Sequence, residues 1–171
     1  MSIIKILRRQ EEMRKIGVNN VISIDESAFY QEISTARGWC KRGEILKEGK
    51  SRMRFKKHSL VMAITSEEVI AVDIKKGSVN TEYFVEFLKN HVFPNLKGKT
   101  HLLMDNLKVH KTKLVQNMMK EKGIFPIFTV PYTPDLNPIE NVFSCVKHYV
   151  KKRNPKKIEN LKNHIMDGIN T

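Results

Sequence analysis

The spacing of apolar residues divides the chain into a strand-rich first half and a second half in which helices and strands alternate. An amphipathic pattern over Ile3–Ile16, closed by Gly17, predicts a first helix. Short apolar or alternating runs then predict extended segments at residues 20–24, 29–33, 36–41, 58–65 and 69–74. Beyond its first helix, this half is therefore expected to be mostly β.

The second half switches between the helical and the extended period. Helical spacing predicts helices at residues 81–93, 113–122 and 157–167, and a further helix from residue 139 to the break at Asn154-Pro155. Pro94 and Gly123 end the first two of these helices. Buried strands are predicted at 100–104 and 124–130. This order indicates an α/β domain with an antiparallel-leaning first half and a βαβ-like second half.

The charge of the chain indicates a class of partner. A length of 171 residues suits one compact domain, and 31 Lys and Arg against 18 Asp and Glu give a net charge of +13. Such an excess favours a polyanion, with nucleic acid as the first candidate. The chain is also rich in Lys, Asn and Ile, as expected from an AT-biased genome, and such a bias would by itself produce part of the excess of lysine. Charge alone identifies no reaction.

Cysteine usage and hydropathy exclude several classes of protein. The two cysteines, Cys40 and Cys145, have no C-x-x-C or His-rich spacing around them, so neither a disulfide framework nor a zinc site is expected. Basic residues interrupt any signal-peptide stretch at the N-terminus, and the longest apolar run, residues 60–64, is far too short to span a bilayer. We therefore expect an intracellular protein with no membrane partner.

Three acidic residues are the candidates for chemistry. Asp25 and Asp105 each follow a predicted strand, and Glu140 lies in the first turn of the helix after Pro138. Ligands of open α/β sheets collect at the C-terminal edge of the strands, where these carboxylates would meet. Carboxylates suit Mg²⁺ or Mn²⁺, and two such ions about 4 Å apart can assist an in-line phosphoryl displacement.

Structural explanations for the same residues remain open at this point. An Asp after a strand is commonly a turn former or a helix cap. With Asn137 as N-cap and Pro138 as the first helical residue, Glu140 takes the third position of a capping box. His110 fits an ordinary surface histidine before a helix, and Trp39 fits a packing residue.

Three strings around these residues closely resemble the mariner-like and bacterial insertion-sequence transposases of the DDE superfamily. They are IDESAF at 24–29, MDN at 104–106 with His110 four residues on, and PYTPDLNPIEN at 131–141. The 34 residues between Asp105 and Glu140 match one spacing typical of that group. Arg37-Gly38-Trp39 with Gly43 is similar to the hairpin that follows its first catalytic strand.

The resemblance implies a ribonuclease H-like α/β fold, a central mixed five-stranded sheet flanked by helices. Asp25 and Asp105 would lie on neighbouring central strands and Glu140 on the helix beside them. Asp25 would bridge two Mg²⁺ or Mn²⁺ ions, Asp105 would hold one and Glu140 the other. Asn106, His110 and Asn137 would support the site. Residues 20–171 would form the catalytic domain, preceded by residues 1–19 as an N-terminal helix or linker remnant.

The same resemblance implies cut-and-paste DNA transposition and the partners that go with it. Water attacks a DNA strand first, and a DNA 3′-hydroxyl then joins a target. The expected partners are transposon ends, target DNA and a second copy of the chain or a higher synaptic complex. Members of this group carry helix-turn-helix modules ahead of the catalytic domain, whereas about 19 residues precede the first strand here. A separate helix-turn-helix protein or a missing N-terminal domain would supply that function. The compartment would be cytoplasmic in a bacterium, and nuclear or a viral factory otherwise.

Two basic stretches are candidates for phosphate contacts, although a run of charge is also typical of a solvated face. With Arg37, the residues expected to bind DNA are Lys50, Arg52, Arg54, Lys56, Lys57, Lys147, Lys151, Lys152 and Arg153. Two functions remain as alternatives to transposition. One is a catalytically inactive or domesticated DNA-binding regulator derived from a transposase. The other is a ribonuclease H-like nuclease such as a resolvase, for which the string at 131–141 has no evident use.

Overall fold

A five-stranded mixed sheet is the centre of the computed structural model, which describes residues 3–31, 56–130, 137–153 and 158–170. The sheet has the order β3-β2-β1-β4-β5. Its strands are β1 Val21–Gln31, β2 Lys56–Ile64, β3 Val69–Lys76, β4 His101–Met104 and β5 Phe125–Phe128. The pairs β1–β2 and β2–β3 are antiparallel, whereas β1–β4 and β4–β5 are parallel. The expected mixed sheet, antiparallel first and parallel second, is confirmed.

Within the part of the chain that the structure describes, five α-helices follow the predicted periodicity. They are α1 Ile3–Ile16, α2 Thr81–Phe87, α3 Lys113–Glu121, α4 Ile139–Arg153 and α5 Ile158–Ile169. Gly17 and Gly123 follow α1 and α3 with φ of 81° and 68°, a conformation that glycine adopts without strain. The helix predicted at 81–93 is not uniform, because a π-helical turn at Leu88–Val92 and a 3₁₀ turn at Phe93–Asn95 follow α2. Pro94 lies inside that last turn, where its missing N–H prevents a longer α-helix.

Strand β1 is longer than predicted, and this corrects the expected position of Asp25. Separate extended segments were expected at 20–24 and 29–33, with Asp25 after the end of a strand. Instead β1 continues through Asp25 to Gln31, because β2 pairs with it from Ser23 to Gln31. Residues 32–33 and the extended segment predicted at 36–41 lie outside the described residues.

The two faces of the sheet carry separate apolar layers. Ile22 and Ile24 pack on the face covered by α2 and α3, and Phe29 packs on the face covered by α4 and α5. Because side chains alternate along a strand, Asp25 belongs to the α4 face and Glu26 to the α2–α3 face. Adjacent residues of one strand therefore contribute to opposite sides of the sheet.

Helix α1 adds a smaller apolar contact to the sheet. Met13 and Ile16 of α1 pack against a small cluster of β1, β4 and β5. Assigning residues 1–19 to a segment separate from the catalytic domain stays a prediction. Across the described residues, the structure has no helix with the length and apolarity needed to cross a membrane.

Candidate active site

Asp25 and Asp105 lie level with each other on neighbouring parallel strands. The pairing of β1 with β4 aligns Val21 with His101 and Ser23 with Leu103. Asp25 comes two residues after Ser23, and Asp105 comes two residues after Leu103, directly after β4 ends. The two residues therefore lie where β4 ends beside β1, which is the C-terminal edge of β4 but the middle of β1.

The carboxylate of Asp25 is buried and accepts hydrogen bonds from neutral groups. Its Oδ1 accepts from the Glu26 backbone N–H at 2.7 Å, and its Oδ2 accepts from Asn137 Nδ2 at 2.8 Å. Burial raises the pKa of Asp25 to about 6, and the negative charges of Asp105 and Glu140 act in the same direction. A cation beside Asp25 would oppose all of these effects.

The carboxylate of Asp105 has an opposite electrostatic setting. Its Oδ1 lies 2.8 Å from His110 Nδ1 and accepts from the Leu107 backbone N–H at 3.0 Å. Desolvation disfavours the charged form, but these two hydrogen bonds outweigh it and lower the pKa of Asp105. Asp105 is thus held as a carboxylate whose Oδ1 is already engaged.

His110 is a buried residue of the site, which corrects the interpretation as a surface histidine. Its side chain is 0% exposed, and its ring centroid lies 4.4 Å from that of Phe84. Its Nε2 is 3.8 Å from Glu26 Oε1, an ion-pair distance that is too long for a hydrogen bond. Burial disfavours the imidazolium, but Asp105 and Glu26 on either side raise the pKa of His110 to about 9. Glu26 was missed as a site residue, and its position next to Asp25 was the one available signal.

Glu140 lies in the first turn of α4 and is exposed. Its backbone N–H donates to the Asn137 carbonyl at 3.1 Å. The Asn137 side chain does not cap the helix, because its Nδ2 donates to Asp25 and its buried Oδ1 has no hydrogen-bond partner among the described residues. The capping box considered from the sequence is therefore not formed.

Asn106 supports the loop after β4 rather than Asp25 itself. Its Nδ2 donates to the Thr129 carbonyl just beyond β5, and its Oδ1 accepts from Lys111 Nζ at 2.6 Å. These bonds fasten the loop that starts at Asp105 to the neighbouring strand end. The role predicted for Asn106 in supporting the catalytic site stays a prediction.

The described residues contain no group of three His, Cys, Asp or Glu side chains already arranged to hold a metal ion. Asp25 and Asp105 are the carboxylates that the strands bring side by side, and Glu140 is close enough to influence the pKa of Asp25. Uncompensated carboxylates repel one another, so closer approach requires a cation. The roles of Asp25, Asp105 and Glu140 as metal ligands stay a prediction.

The residues expected to bind DNA have diverse surroundings. Arg37, Lys50, Arg52 and Arg54 lie outside the described residues, as does the side chain of Lys56. Lys57 Nζ donates to Ser78 Oγ at 3.0 Å. The side chains of Lys147, Lys151 and Lys152 are exposed along α4. Arg153 is also exposed, and its guanidinium carbon lies 3.3 Å from the centroid of the Tyr149 ring.

Comparison with known proteins relates this geometry to one family and one fold. The family model described as DDE superfamily endonuclease matches residues 20–162. The catalytic domain of Mos1 mariner transposase superposes with a TM-score of 0.67 at 16% identity, covering 96% of this chain and 76% of that one. A pre-cleavage Mos1 transpososome gives 0.70 at 16% identity, with 96% and 52% coverage. A simian T-cell lymphotropic virus intasome gives 0.61 at 14% identity, with 90% and 48% coverage.

These likenesses confirm the ribonuclease H-like fold expected from the sequence. The chain spans about half the length of the transposase chain in the transpososome. No relative was found among curated protein sequences.

Proposed function

Because the chain belongs to the DDE superfamily endonucleases, we propose that it is the catalytic domain of a cut-and-paste transposase, which cleaves DNA and joins the freed end to a target. The observation that carries this proposal is that Asp25 on β1 and Asp105 directly after the parallel strand β4 fall at the same level, with Glu140 close enough to raise the pKa of Asp25. The three carboxylates supply hard oxygen ligands, and burial together with the negative charges of the other two raises the pKa of Asp25. Such a set of ligands suits two Mg²⁺ or Mn²⁺ ions.

Mos1 transposase, which shares the fold, has been seen in a paired-end complex with its left transposon end, and its catalytic domain has been seen with Mg and with Mn. We carry the DNA substrate and the metal over to this chain as parts of the proposal, and add to them the assembly of more than one subunit that was expected from the sequence. Metal ions held by Asp25, Asp105 and Glu140 would supply activation of the attacking hydroxyl and stabilisation of the leaving oxygen.

The surrounding residues fix the two aspartates in place. Asn137 donates to one oxygen of Asp25 and the Glu26 backbone N–H to the other, so this carboxylate cannot rotate freely. The loop bonds of Asn106 and the contact of Asp105 with His110 restrain the second carboxylate. Such preorganisation lets the site receive cations and phosphate without first ordering its own side chains.

Helix α4 offers a path for the DNA backbone that leads to Glu140. At 100° per residue, positions 140, 147 and 151 fall on one stripe of the helix, whereas position 152 lies about a third of a turn away. Lys147 and Lys151 are exposed on that stripe. We therefore assign phosphate contacts to Lys147 and Lys151 in preference to Lys152.

The decisive experiment measures nicking of supercoiled plasmid by the purified chain in Mn²⁺, Mg²⁺ or EDTA. The parent should nick only with metal, and Glu140→Gln should nearly abolish nicking while changing the free energy of unfolding by about 1 kcal/mol or less. Glu159→Gln is the matched control, because Glu159 lies in the first turn of α5 and is exposed. It should nick like the parent.

Each other outcome points to a different function. Near-parental nicking by Glu140→Gln would remove this residue from the mechanism. A parent that binds DNA but never nicks would support the inactive regulator. Preference for branched DNA or for an RNA strand would support a resolvase or another nuclease of the same fold.

The assignment on α4 is tested by the salt dependence of duplex binding. Lys147→Ala and Lys151→Ala should each reduce the slope of log K against log salt by about 1, because each removes one phosphate contact. Lys152→Ala removes the same charge from a different side of the helix and should leave the slope near that of the parent. If all three substitutions reduced the slope equally, the net charge of the helix and not the position of each lysine would determine DNA binding.

A further inference from the structure

A row of polar side chains runs from Asp105 through the buried His110 to the partly buried Glu26 beside the proposed metal site. His110 Nδ1 lies 2.8 Å from Asp105 Oδ1, and His110 Nε2 lies 3.8 Å from Glu26 Oε1. The His110 side chain is 0% exposed and that of Glu26 is 17% exposed. Glu26 donates its backbone N–H to Asp25, but that bond gives no role to the Glu26 side chain, whose Oε1 is buried.

Stability does not account for this arrangement. Glu26 Oε1 and His110 Nε2 are both buried with no hydrogen-bond partner among the described residues. Taking an ionisable pair out of water costs free energy that an imperfect contact recovers only in part. An apolar pair packed against Phe84 would avoid this cost, so the polar pair fits a role in the site better than a role in folding.

The geometry gives the pair a directional effect on Asp105. Carboxylate oxygens lie on both sides of the His110 ring, so rotating the ring by half a turn would place carbon atoms against both of them. The ring therefore has one favourable orientation, in which Nδ1 faces Asp105. In that orientation Nδ1 engages Oδ1 together with the Leu107 N–H, and Oδ2 is left for another ligand.

We infer that Glu26 and His110 are positioning residues: Glu26 orients the His110 ring, and His110 holds the Asp105 carboxylate so that Oδ2 is presented to the metal. This inference rests on the proposed function, since it requires Asp105 to be a metal ligand. Partners of this kind behind a metal ligand typically change metal affinity or activity by about tenfold to a hundredfold. The effect on Mn²⁺ affinity should be of that size.

The test measures Mn²⁺ binding to the purified chain by calorimetry, which is independent of cleavage. In His110→Asn the amide nitrogen can take the place of Nδ1 and still donate to Asp105, whereas in His110→Gln the amide reaches toward Glu26 instead. We expect His110→Gln to lose about tenfold to a hundredfold in Mn²⁺ affinity and His110→Asn to retain most of it. Both variants lose the ring that packs on Phe84, so equal losses would show a packing role and overturn the inference.

Glu26 is tested by a double-mutant cycle in the same assay. Glu26→Gln should lower Mn²⁺ affinity about tenfold in the parent and leave it almost unchanged in the His110→Asn background, because Glu26 acts through the ring. An equal loss in both backgrounds would show that Glu26 acts on the metal directly. If the parent binds Mn²⁺ no better than Asp25→Asn, the proposed function fails and the inference fails with it. If those two differ while the His110 variants match the parent, the inference alone fails.

A measurement on the unmutated chain covers the case in which the variants do not fold. A long-range proton–nitrogen NMR spectrum of His110 should show a proton on Nδ1 whose signal shifts when Mg²⁺ is added. An unprotonated Nδ1, or a signal that Mg²⁺ leaves unchanged, would overturn the inference.

Discussion

Asp25 and Asp105 are the same residue type and fall at the same level beside each other, yet their surroundings shift their pKa values in opposite directions. Asp25 is 7% exposed, has neutral donors and two anionic neighbours, and its pKa rises to about 6. Asp105 is more exposed and contacts a buried histidine, and its pKa falls. In the absence of metal, the charge of Asp25 is therefore a cost and the charge of Asp105 is a stabilising partner.

This contrast shows how one edge of a sheet prepares two carboxylates for different contacts. His110 already stabilises the negative charge of Asp105, so a metal ion would add less stabilisation to that carboxylate. Among the described residues, no basic side chain is hydrogen-bonded to Asp25, so a cation should lower the cost of its charge more than at Asp105. The proposed bridging role of Asp25 between two ions is consistent with that difference.

The largest expected effect is an opposite change in stability when each charge is removed without metal. At pH 7, Asp105→Asn should lower the free energy of unfolding by about 2 kcal/mol, because it leaves His110 buried without its carboxylate. Asp25→Asn should raise it by about 1 kcal/mol, because relief from repulsion and desolvation exceeds the loss of one hydrogen bond.

Urea unfolding in EDTA measures both changes, with Glu159→Gln as the control for loss of an exposed carboxylate. Destabilisation by both aspartate substitutions to the same extent would contradict the contrast drawn from the two pKa shifts.

Bound metal should stabilise the folded chain through both aspartates. Mg²⁺ or Mn²⁺ at a hundred times its dissociation constant stabilises the folded chain by about 2.7 kcal/mol. For a chain of this length each kcal/mol corresponds to roughly 2–4 °C in melting temperature. Thermal melts should show this rise in the parent and in Glu159→Gln, and a much smaller rise in Asp25→Asn and in Asp105→Asn. If a variant carrying both Asp25→Asn and Asp105→Asn showed the same metal-dependent rise in melting temperature as the parent, the ions would bind elsewhere.

The positions of the catalytic candidates along the chain were predictable because they depend on local patterns. A short apolar strand before Asp105 and helical spacing after Pro138 are readable from neighbouring residues. The long motif around Glu140 added the family, which periodicity alone could not supply. The paired level of Asp25 and Asp105 then followed from the parallel strands of the fold.

The contacts that distinguish the two aspartates were not predictable, because they join distant parts of the chain. The bond from Asn137 to Asp25 crosses 112 residues, and the same Asn was equally compatible with a helix cap. Strand β1 was predicted to end early, because pairing with β2 is a tertiary contact that keeps the chain extended past Asp25. Glu26 was overlooked because its contact with His110 joins distant parts of the chain.

The smallest expected effect is on the pH dependence of stability in the absence of metal. A carboxylate whose folded pKa is raised from 3.8 to about 6 stabilises the fold fully below the lower value, and this contribution is lost as the pH rises through the higher one. The parent should therefore lose about 2 kcal/mol relative to Asp25→Asn between pH 4 and pH 7, and the difference should be constant at higher pH.

The stability contributed by Asp105 should depend on pH in the opposite direction, because its lowered pKa gives stability that is lost only as the pH falls below the usual range of an aspartate. Urea unfolding in EDTA at several pH values would show both trends. If the stability difference between the parent and Asp25→Asn did not vary between pH 4 and pH 7, Asp25 would be titrating like an exposed aspartate. The raised pKa that distinguishes Asp25 from Asp105 would then be refuted.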